Sequence, residues 1–112
     1  MPLFTIKTNI TLENKTLLAE AASLTVANIL NKPESYVMVH IEDEQCLLFA
    51  GDPEPCALVE LKSLGLAEET TGDLSDRLCD FIFTQTRIPP SRVYIEFSSP
   101  PRHMWGWDKR TF

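Results

Sequence analysis

Apolar residues along the first half of the chain follow the spacing of a strand, then of a helix, then of a strand again. Residues 3–10 (LFTIKTNI) carry enough branched and apolar side chains, partly in alternation, to predict a strand. Helical spacing without internal Gly or Pro predicts a helix over about residues 13–31, with apolar positions at Leu17, Leu18, Ala21, Leu24, Val26, Ala27, Ile29 and Leu30. Pro33 ends this helix, because the residue before a proline is disfavoured in the α region. Residues 36–41 (YVMVHI) predict a second strand.

The second half shows a similar order of elements. Residues 47–51 predict a short strand, the DPEP stretch from Asp52 a loop, and residues 56–64 a longer strand closed by Gly65. A second helix is predicted over about residues 71–87, with a stripe of Leu74, Leu78, Phe81, Ile82 and Gln85. Pro89 and Pro90 end it, and residues 93–97 (VYIEF) predict a further strand. The remaining tail is irregular, with a short strand expected around Trp105.

An internal repeat defines the expected topology. The segment that starts at Lys32 (KPESYVMVHIE) aligns with the segment that starts at Ile88 (IPPSRVYIEF), so each half reads strand, helix, proline stop, strand. Such a unit is normally a right-handed parallel crossover. The predicted fold is therefore α+β: two pseudo-symmetric βαβ units that form a four-stranded mixed sheet with both helices on one face. The other face would stay uncovered, which predicts self-association.

Composition restricts the class of protein. A chain of 112 residues with 44% hydrophobic and 23% charged residues predicts one globular domain, residues 1–112. The net charge of −6 argues against a nucleic acid partner. No apolar run is long enough for a membrane span and no signal-peptide pattern opens the chain, so we expect no membrane partner and a cytoplasmic location. The cysteines (Cys46, Cys56, Cys79) and histidines (His40, His103) are not clustered, so we expect free thiols, no metal and no cofactor.

Pro2 and Lys32 form the candidate chemistry. If Met1 is removed, Pro2 presents a secondary amine, and in a parallel unit the start of the first strand and the end of its helix lie at one end of the sheet. An antiparallel second unit would bring Ser63 and Leu64 to the same rim. The Lys32 cation and partial burial should lower the pKa of the amine, which suits a general base near neutral pH. A base beside a cation predicts keto–enol tautomerisation.

Each of the two residues also has an ordinary explanation. A proline at position 2 can simply protect an N-terminus, and a lysine before a proline at a helix end can simply compensate the helix dipole. Only their combination favours catalysis.

Several short motifs, in order and spacing, resemble the macrophage migration inhibitory factor family of the tautomerase superfamily over the whole chain. They are MP at the start, TNI at Thr8, NKP at Asn31, YVMVH at Tyr36, EPCAL at Glu54, SLG at Ser63, RVYI at Arg92, GW at Gly106 and the closing TF. The resemblance implies a homotrimer, Pro2 as the catalytic base, substrate binding by Lys32 and Leu64, and a Tyr94 that reaches into a neighbouring subunit's pocket. It also implies enolisable aromatic substrates similar to phenylpyruvate or dopachrome.

Tyr36, Trp107 and Phe112 resemble the aromatic rim of the family's pocket, and the alternative is that they are ordinary core or tail anchors, which for Phe112 is an equally good explanation. Trp105 stands where the family usually has a smaller apolar residue, and it is expected to narrow the entrance. Arg102 and His103 could offset negative charge there or simply be solvated.

Two positions depart from the family pattern. Cys56 is followed by Ala57, Leu58 and Val59, without the second cysteine of the animal members, so the thiol–protein redox activity associated with that pair is rejected. Glu96 replaces an uncharged Asn. If it faces the pocket, its carboxylate would stabilise the protonated amine and repel an anionic substrate.

Three functions remain open from the sequence. The leading one is a cofactor-free tautomerase that uses Pro2 and Lys32, with Tyr36, Ser63, Leu64, Tyr94, Glu96, Trp107 and Phe112 around the substrate. The alternatives are a cytokine-like protein that binds a receptor or other partner and has weak tautomerase activity, and a trimeric scaffold with an idle pocket. Export without a signal peptide, as the resemblance allows, is the alternative to the cytoplasm.

Overall fold

The first half of the chain forms the predicted strand–helix–strand unit. The computed structural model describes all residues, 1–112. Strand β1 (Leu3–Thr8) leads into helix α1 (Lys15–Leu30), and strand β2 (Met38–Glu42) follows a 3-10 turn (Glu34–Tyr36). Asn14 caps the start of α1, where its side chain accepts a hydrogen bond from the Leu17 amide, and Asn31 caps the end of α1 in the left-handed conformation.

The second half repeats this arrangement. Strand β3 (Ala57–Lys62), helix α2 (Thr71–Thr86) and strand β4 (Val93–Ser98) follow one another, with a 3-10 turn (Pro90–Arg92) before β4. Helix α2 ends at Arg87, which is also left-handed. The tail forms a small hairpin of β5 (Gly106–Trp107) and β6 (Arg110–Thr111), close to the short strand expected around Trp105. Neither helix has the length and apolar composition that a membrane crossing requires.

The sheet has the mixed topology that the repeat predicts. Its order is β2-β1-β3-β4; β1 pairs in parallel with β2, β3 in parallel with β4, and the central strands β1 and β3 are antiparallel. The core lies between the sheet and the helices, and its fully buried side chains include Phe4, Ile6, Val26, Val59, Leu61, Leu78, Ile82 and Ile88. The α+β class and the four-stranded mixed sheet with two helices are thus confirmed.

The opposite face of the sheet, here called the open face, carries the alternate residues of each strand. These are the residues in register with Leu3, Thr5 and Lys7, namely Met38, His40, Glu42, Leu58, Glu60, Lys62, Tyr94, Glu96 and Ser98. Met38 and Tyr94 are exposed there, at 66% and 67% of their surface. No helix covers this face, in agreement with the prediction.

Three predictions of local structure are wrong. Residues 47–51 do not form a strand, because the segment turns back on itself and only Phe49 and Asp52 bridge. The strand predicted from Tyr36 starts at Met38, because Pro33 begins a 3-10 turn in which the Tyr36 amide bonds the Pro33 carbonyl. Leu17 and Leu24 of the predicted apolar stripe are exposed, since Leu18, Ala22 and Val26 face the sheet.

Two side chains hold the turn before β3. The Asn9 amide group donates to the carbonyls of Leu47, Pro53 and Glu54, and its oxygen accepts from the Cys56 amide. The Arg92 guanidinium pairs with Asp52 at 2.7 Å and donates to several carbonyls of the same segment. Because these bonds satisfy backbone groups that no sheet partner reaches, the segment is ordered without being a strand.

Candidate active site

Pro2 lies at the start of β1, and its ring is fully buried. Its carbonyl accepts a hydrogen bond from the Met38 amide at 3.0 Å. This bond joins the residue before β1 to the first residue of β2. Beside it is a cavity of about 320 Å³, here called the Pro2 cavity, lined by Met1, Pro2, Leu3, Ser35, Tyr36, Val37, Met38, Trp105, Gly106 and Trp107. The Pro2 ring is therefore part of the wall of this cavity and is shielded from bulk solvent. In this structure the Pro2 nitrogen is part of the peptide bond to Met1.

Lys32 lies directly after the left-handed end of α1, and its ammonium points to the end of β3. It donates hydrogen bonds to the Ser63 hydroxyl at 2.9 Å and to the Leu64 carbonyl at 2.6 Å. Ser63 and Leu64 are both buried. The antiparallel pairing of β1 with β3 thus brings Ser63 and Leu64 to the rim predicted from the sequence. Lys32 and Ser63 line a neighbouring cavity of about 240 Å³ between the helices, and not the Pro2 cavity itself.

The amino terminus and Lys32 influence each other's protonation. Burial lowers the pKa of the Met1 ammonium below its usual value of 8.0, and the charge of Lys32 and a hydrogen bond with it lower this pKa further. Burial also lowers the pKa of Lys32, while the hydrogen bond with the amino terminus acts in the opposite sense. The two effects agree with a protonated Lys32 that donates to a neutral terminal amine. The Met1 amine is therefore neutral at a lower pH than the amino group of a free peptide.

Three aromatic side chains predicted as a rim form one cluster. The rings of Tyr36 and Trp107 meet edge to face at 6.0 Å, and those of Trp107 and Phe112 stack at 6.1 Å. Tyr36 and Trp107 line the Pro2 cavity, whereas Phe112 lies behind Trp107. The structure thus places Phe112 as a support for the rim and the other two in the wall.

Trp105 also lines the Pro2 cavity, as its expected place at the entrance requires. Besides Met1 and Gly106, which are direct neighbours of the predicted Pro2 and Trp107, four further lining residues were not anticipated: Leu3, Ser35, Val37 and Met38. A signal for them exists in the sequence. Two parallel strands that start at the same end must bring the residues around their first positions together, here Leu3 and Met38, which are in register.

Two predicted site residues do not reach Pro2 within one chain. Tyr94 is in register with Leu58, and Leu58 with Lys7. Lys7 is five residues beyond Pro2, which corresponds to roughly 16 Å along the strand. Glu96 lies on the open face beside Glu60, its partner in register, and does not line the Pro2 cavity. Either residue could contribute to a Pro2 cavity only from a second copy of the chain.

The side chains around Pro2 and Lys32 determine which chemistry the site can perform. No group of three or more His, Cys, Asp or Glu side chains lies close enough together to hold a metal ion. All three cysteines are free, and Cys56 is buried at the start of β3. The groups that can act here are an amine, an ammonium, a hydroxyl and aromatic rings, which suit proton transfer and charge stabilisation.

The comparisons with known proteins cover the whole chain. Residues 1–112 match the family described as macrophage migration inhibitory factor (MIF). A macrophage migration inhibitory factor homolog of Brugia malayi is 38% identical over 114 residues, which span 100% of this chain and 99% of the relative. The structure of the factor from Trichinella spiralis has a TM-score of 0.93 at 38% identity, covering 98% of this chain and 99% of that one. A homologue from Prochlorococcus marinus has a TM-score of 0.92 at 34% identity, covering 98% of each chain.

Proposed function

The chain belongs to the macrophage migration inhibitory factor family, and we propose that it is a cofactor-free keto–enol tautomerase of phenylpyruvate- or dopachrome-like substrates. The base in this proposal is the Pro2 nitrogen after removal of Met1. The observation that carries the proposal is the burial of the Pro2 ring against a cavity at the same end of the sheet as the Lys32 ammonium. Family membership and fold support a tautomerase or cytokine-like function at the coarser level.

The proposed reaction needs only one proton to move between carbon and oxygen. The neutral Pro2 amine removes a proton from the carbon next to the substrate carbonyl, and the electron pair moves to form the enolate. Lys32 holds the substrate carboxylate or stabilises the charge that develops on oxygen. The protonated amine then returns its proton to the oxygen, which gives the enol and restores the base. The reverse sequence converts the enol to the ketone.

The proposed active form is a homotrimer in which a neighbouring copy completes each site. The uncovered open face, with the exposed side chains of Met38 and of Tyr94 near the start of β4, supports this part of the proposal, since large exposed apolar side chains favour association. In such an assembly Tyr94 and Glu96 approach the Pro2 cavity from the next copy. Glu96 would then bring a carboxylate close to the terminal amine.

The test measures tautomerisation of phenylpyruvate and of a dopachrome ester, with the intact mass recorded to determine whether Met1 is present. Pro2→Gly is expected to lower kcat/KM about a hundredfold, since a positioned general base typically contributes a factor of about 10² to 10⁴. An alanine inserted between Met1 and Pro2 is the matched control, because it keeps the ring but turns its nitrogen into an amide. This variant should have no activity above the uncatalysed rate.

Equal rates for the wild type and Pro2→Gly would remove the proline from the mechanism.

Glu96→Asn tests the contribution of the neighbouring copy to the site. A higher rate with the anionic substrate is expected, because a carboxylate that repels the substrate is gone. An unchanged rate would mean that Glu96 does not face an active site.

The second candidate is a cytokine-like, partner-binding protein with weak tautomerase activity. The observation in its favour is the placement of Glu96 and Glu60 side by side, since two carboxylates near an anionic substrate site would oppose catalysis. Full activity in the wild type, with loss in the variant that carries the inserted alanine, would decide for the enzyme.

A further inference from the structure

Lys62 lies at the last position of β3, on the open face, in register with Leu3. Its ammonium stands 5.7 Å from the centre of the Trp105 ring. It takes part in none of the four salt bridges of the chain and donates no side-chain hydrogen bond. The indole is therefore the one side chain that the Lys62 charge is seen to engage. A cation over the face of an indole is attracted by the ring's negative face.

The backbone of Trp105 is already fixed by its neighbours. Its amide donates to the Arg102 carbonyl at 3.2 Å, and its carbonyl accepts from the Phe112 amide, also at 3.2 Å. These bonds fix the position of the Cα atom. They do not fix the orientation of the indole, because the side chain can rotate about two bonds, χ1 and χ2. Lys62 does not line the Pro2 cavity, whereas Trp105 does. Lys62 thus stands behind the part of the wall that Trp105 provides.

The lining of the Pro2 cavity indicates which group it accepts. Tyr36, Trp105 and Trp107 supply three aromatic rings, and no lining residue has a charged side chain. Flat aromatic walls favour flat aryl groups, which stack or meet them edge to face, over branched alkyl groups of similar volume. The charged end of a substrate would lie outside this wall, toward Lys32.

We propose that Trp105 is a specificity-determining residue that selects aryl groups in the Pro2 cavity, and that Lys62 is a positioning residue that holds its indole there. This inference rests on the proposed function in one respect, that the cavity is the substrate site. It goes beyond that function because it assigns the choice between aryl and alkyl substrates to two residues, one of them outside the cavity.

The experiment measures binding without turnover, by titration calorimetry on the full chain. The probes are 3-phenylpropanoate, its neutral amide and 4-methylpentanoate, none of which has a ketone to enolise. Trp105→Val should weaken the two aryl ligands about tenfold and the alkyl acid less than about twofold. Lys62→Met should weaken the aryl ligands about two- to fivefold, and Lys62→Arg should restore them, because Arg keeps the cation. Lys62→Met in the Trp105→Val background should have no further effect.

Lys15→Met is the control, since it removes an exposed cation from the start of helix α1, which is not on the open face; it should leave all three affinities unchanged. Equal weakening of alkyl and aryl acids by Lys62→Met would show that Lys62 attracts the carboxylate directly and would overturn the inference. Three other outcomes would overturn it as well. Lys62→Met could weaken the aryl ligands equally in the Trp105→Val background, Lys62→Arg could fail to restore their affinity, or the wild type could fail to bind them. Thermal unfolding of each variant, with Trp105→Phe as a milder change, separates a binding defect from misfolding. Binding of the aryl probes by a wild-type protein that does not turn over phenylpyruvate would refute the tautomerase and leave this inference standing.

Discussion

The two ends of the central strand pair are equivalent in backbone and opposite in chemistry. Lys32 and Ile88 each follow a left-handed helix cap, Asn31 at φ 52° and Arg87 at φ 65°, and each precedes a proline and a 3-10 turn. Yet Lys32 is only partly buried and bonds Ser63 and Leu64, whereas Ile88 is completely buried in the core. The same crossover thus produces a candidate site at one end and a sealed core at the other.

The difference shows that the site depends on side chains added to a repeated scaffold. At the Ile88 end, Asn9 and Arg92 hold a loop against the start of β3, and the position equivalent to Pro2 is the buried Cys56. At the Lys32 end, the amino terminus and the tail with Trp105 enclose a cavity. A chain with two pseudo-symmetric halves needs only one of them to carry chemistry.

Ile88→Lys is expected to have the largest effect, because it places a cation at the sealed end without Ser63-like partners. An unpaired buried charge typically costs about 3 to 5 kcal/mol in the free energy of unfolding. Chemical denaturation would measure the loss as a lower midpoint. Ile88→Val is the matched control and should cost only about 0.5 to 1.5 kcal/mol.

If Ile88→Lys were as stable as Ile88→Val, the sealed end would be able to accept a cation, and the contrast between the two ends would not be one of burial. A fully unfolded variant would agree with the expectation, and the Val variant would still give a measurable free energy.

Much of the scaffold, but less of the site, could be predicted from the sequence. The match of Lys32 with Ile88 and of Pro33 with Pro89 was sufficient to predict the two crossovers, since helical spacing and proline stops are local signals. The strand predicted over residues 47–51 is wrong, because the order of this segment comes from Asn9 and Arg92, more than 35 residues away. Leu17 and Leu24 were misplaced because the helix is apolar on more than one side.

The resemblance located the predicted site residues better than periodicity could. It supplied Tyr36, Trp107 and Phe112, which the structure brings into contact. It could not show that Lys32 lies in a cavity next to that of Pro2, or that Lys62 contacts Trp105, because both depend on where side chains meet across elements. The roles of all these residues stay predictions.

Lys32→Ile makes the two ends alike and should affect activity more than stability. We expect kcat/KM to fall about a hundredfold, since a cation aimed at developing charge is typically worth that much or more. The free energy of unfolding should change by less than about 1 kcal/mol, because Ser63 keeps a contact with the Leu64 carbonyl.

The pH dependence of kcat/KM gives the sign of the electrostatic effect. The base acts when neutral, so kcat/KM rises as the pH passes the pKa of the terminal amine and then levels off. The charge of Lys32 lowers the pKa of the Met1 ammonium, and we expect it to lower the pKa of the Pro2 amine in the same way, so loss of the cation in Lys32→Ile should move the rise to higher pH. Lys32→Arg keeps the charge and should leave the rise in place. If kcat/KM of Lys32→Ile rises at the same pH as that of the wild type, Lys32 does not lower the pKa of the base.

The smallest expected effects test whether the two ends really share a backbone. Asn31 and Arg87 both have a Cβ atom in the left-handed region, which glycine adopts without that strain. Comparing Gly with Ala at each position isolates the Cβ atom from the original side chains, including the Arg87 guanidinium over Phe83. Gly should be more stable than Ala by about 1 kcal/mol at both caps. The difference, measured by denaturation, should agree between the halves to within about 0.5 kcal/mol. A gain at one cap only would mean that the helix ends are not equivalent, and the contrast between Lys32 and Ile88 would then have to begin in the backbone.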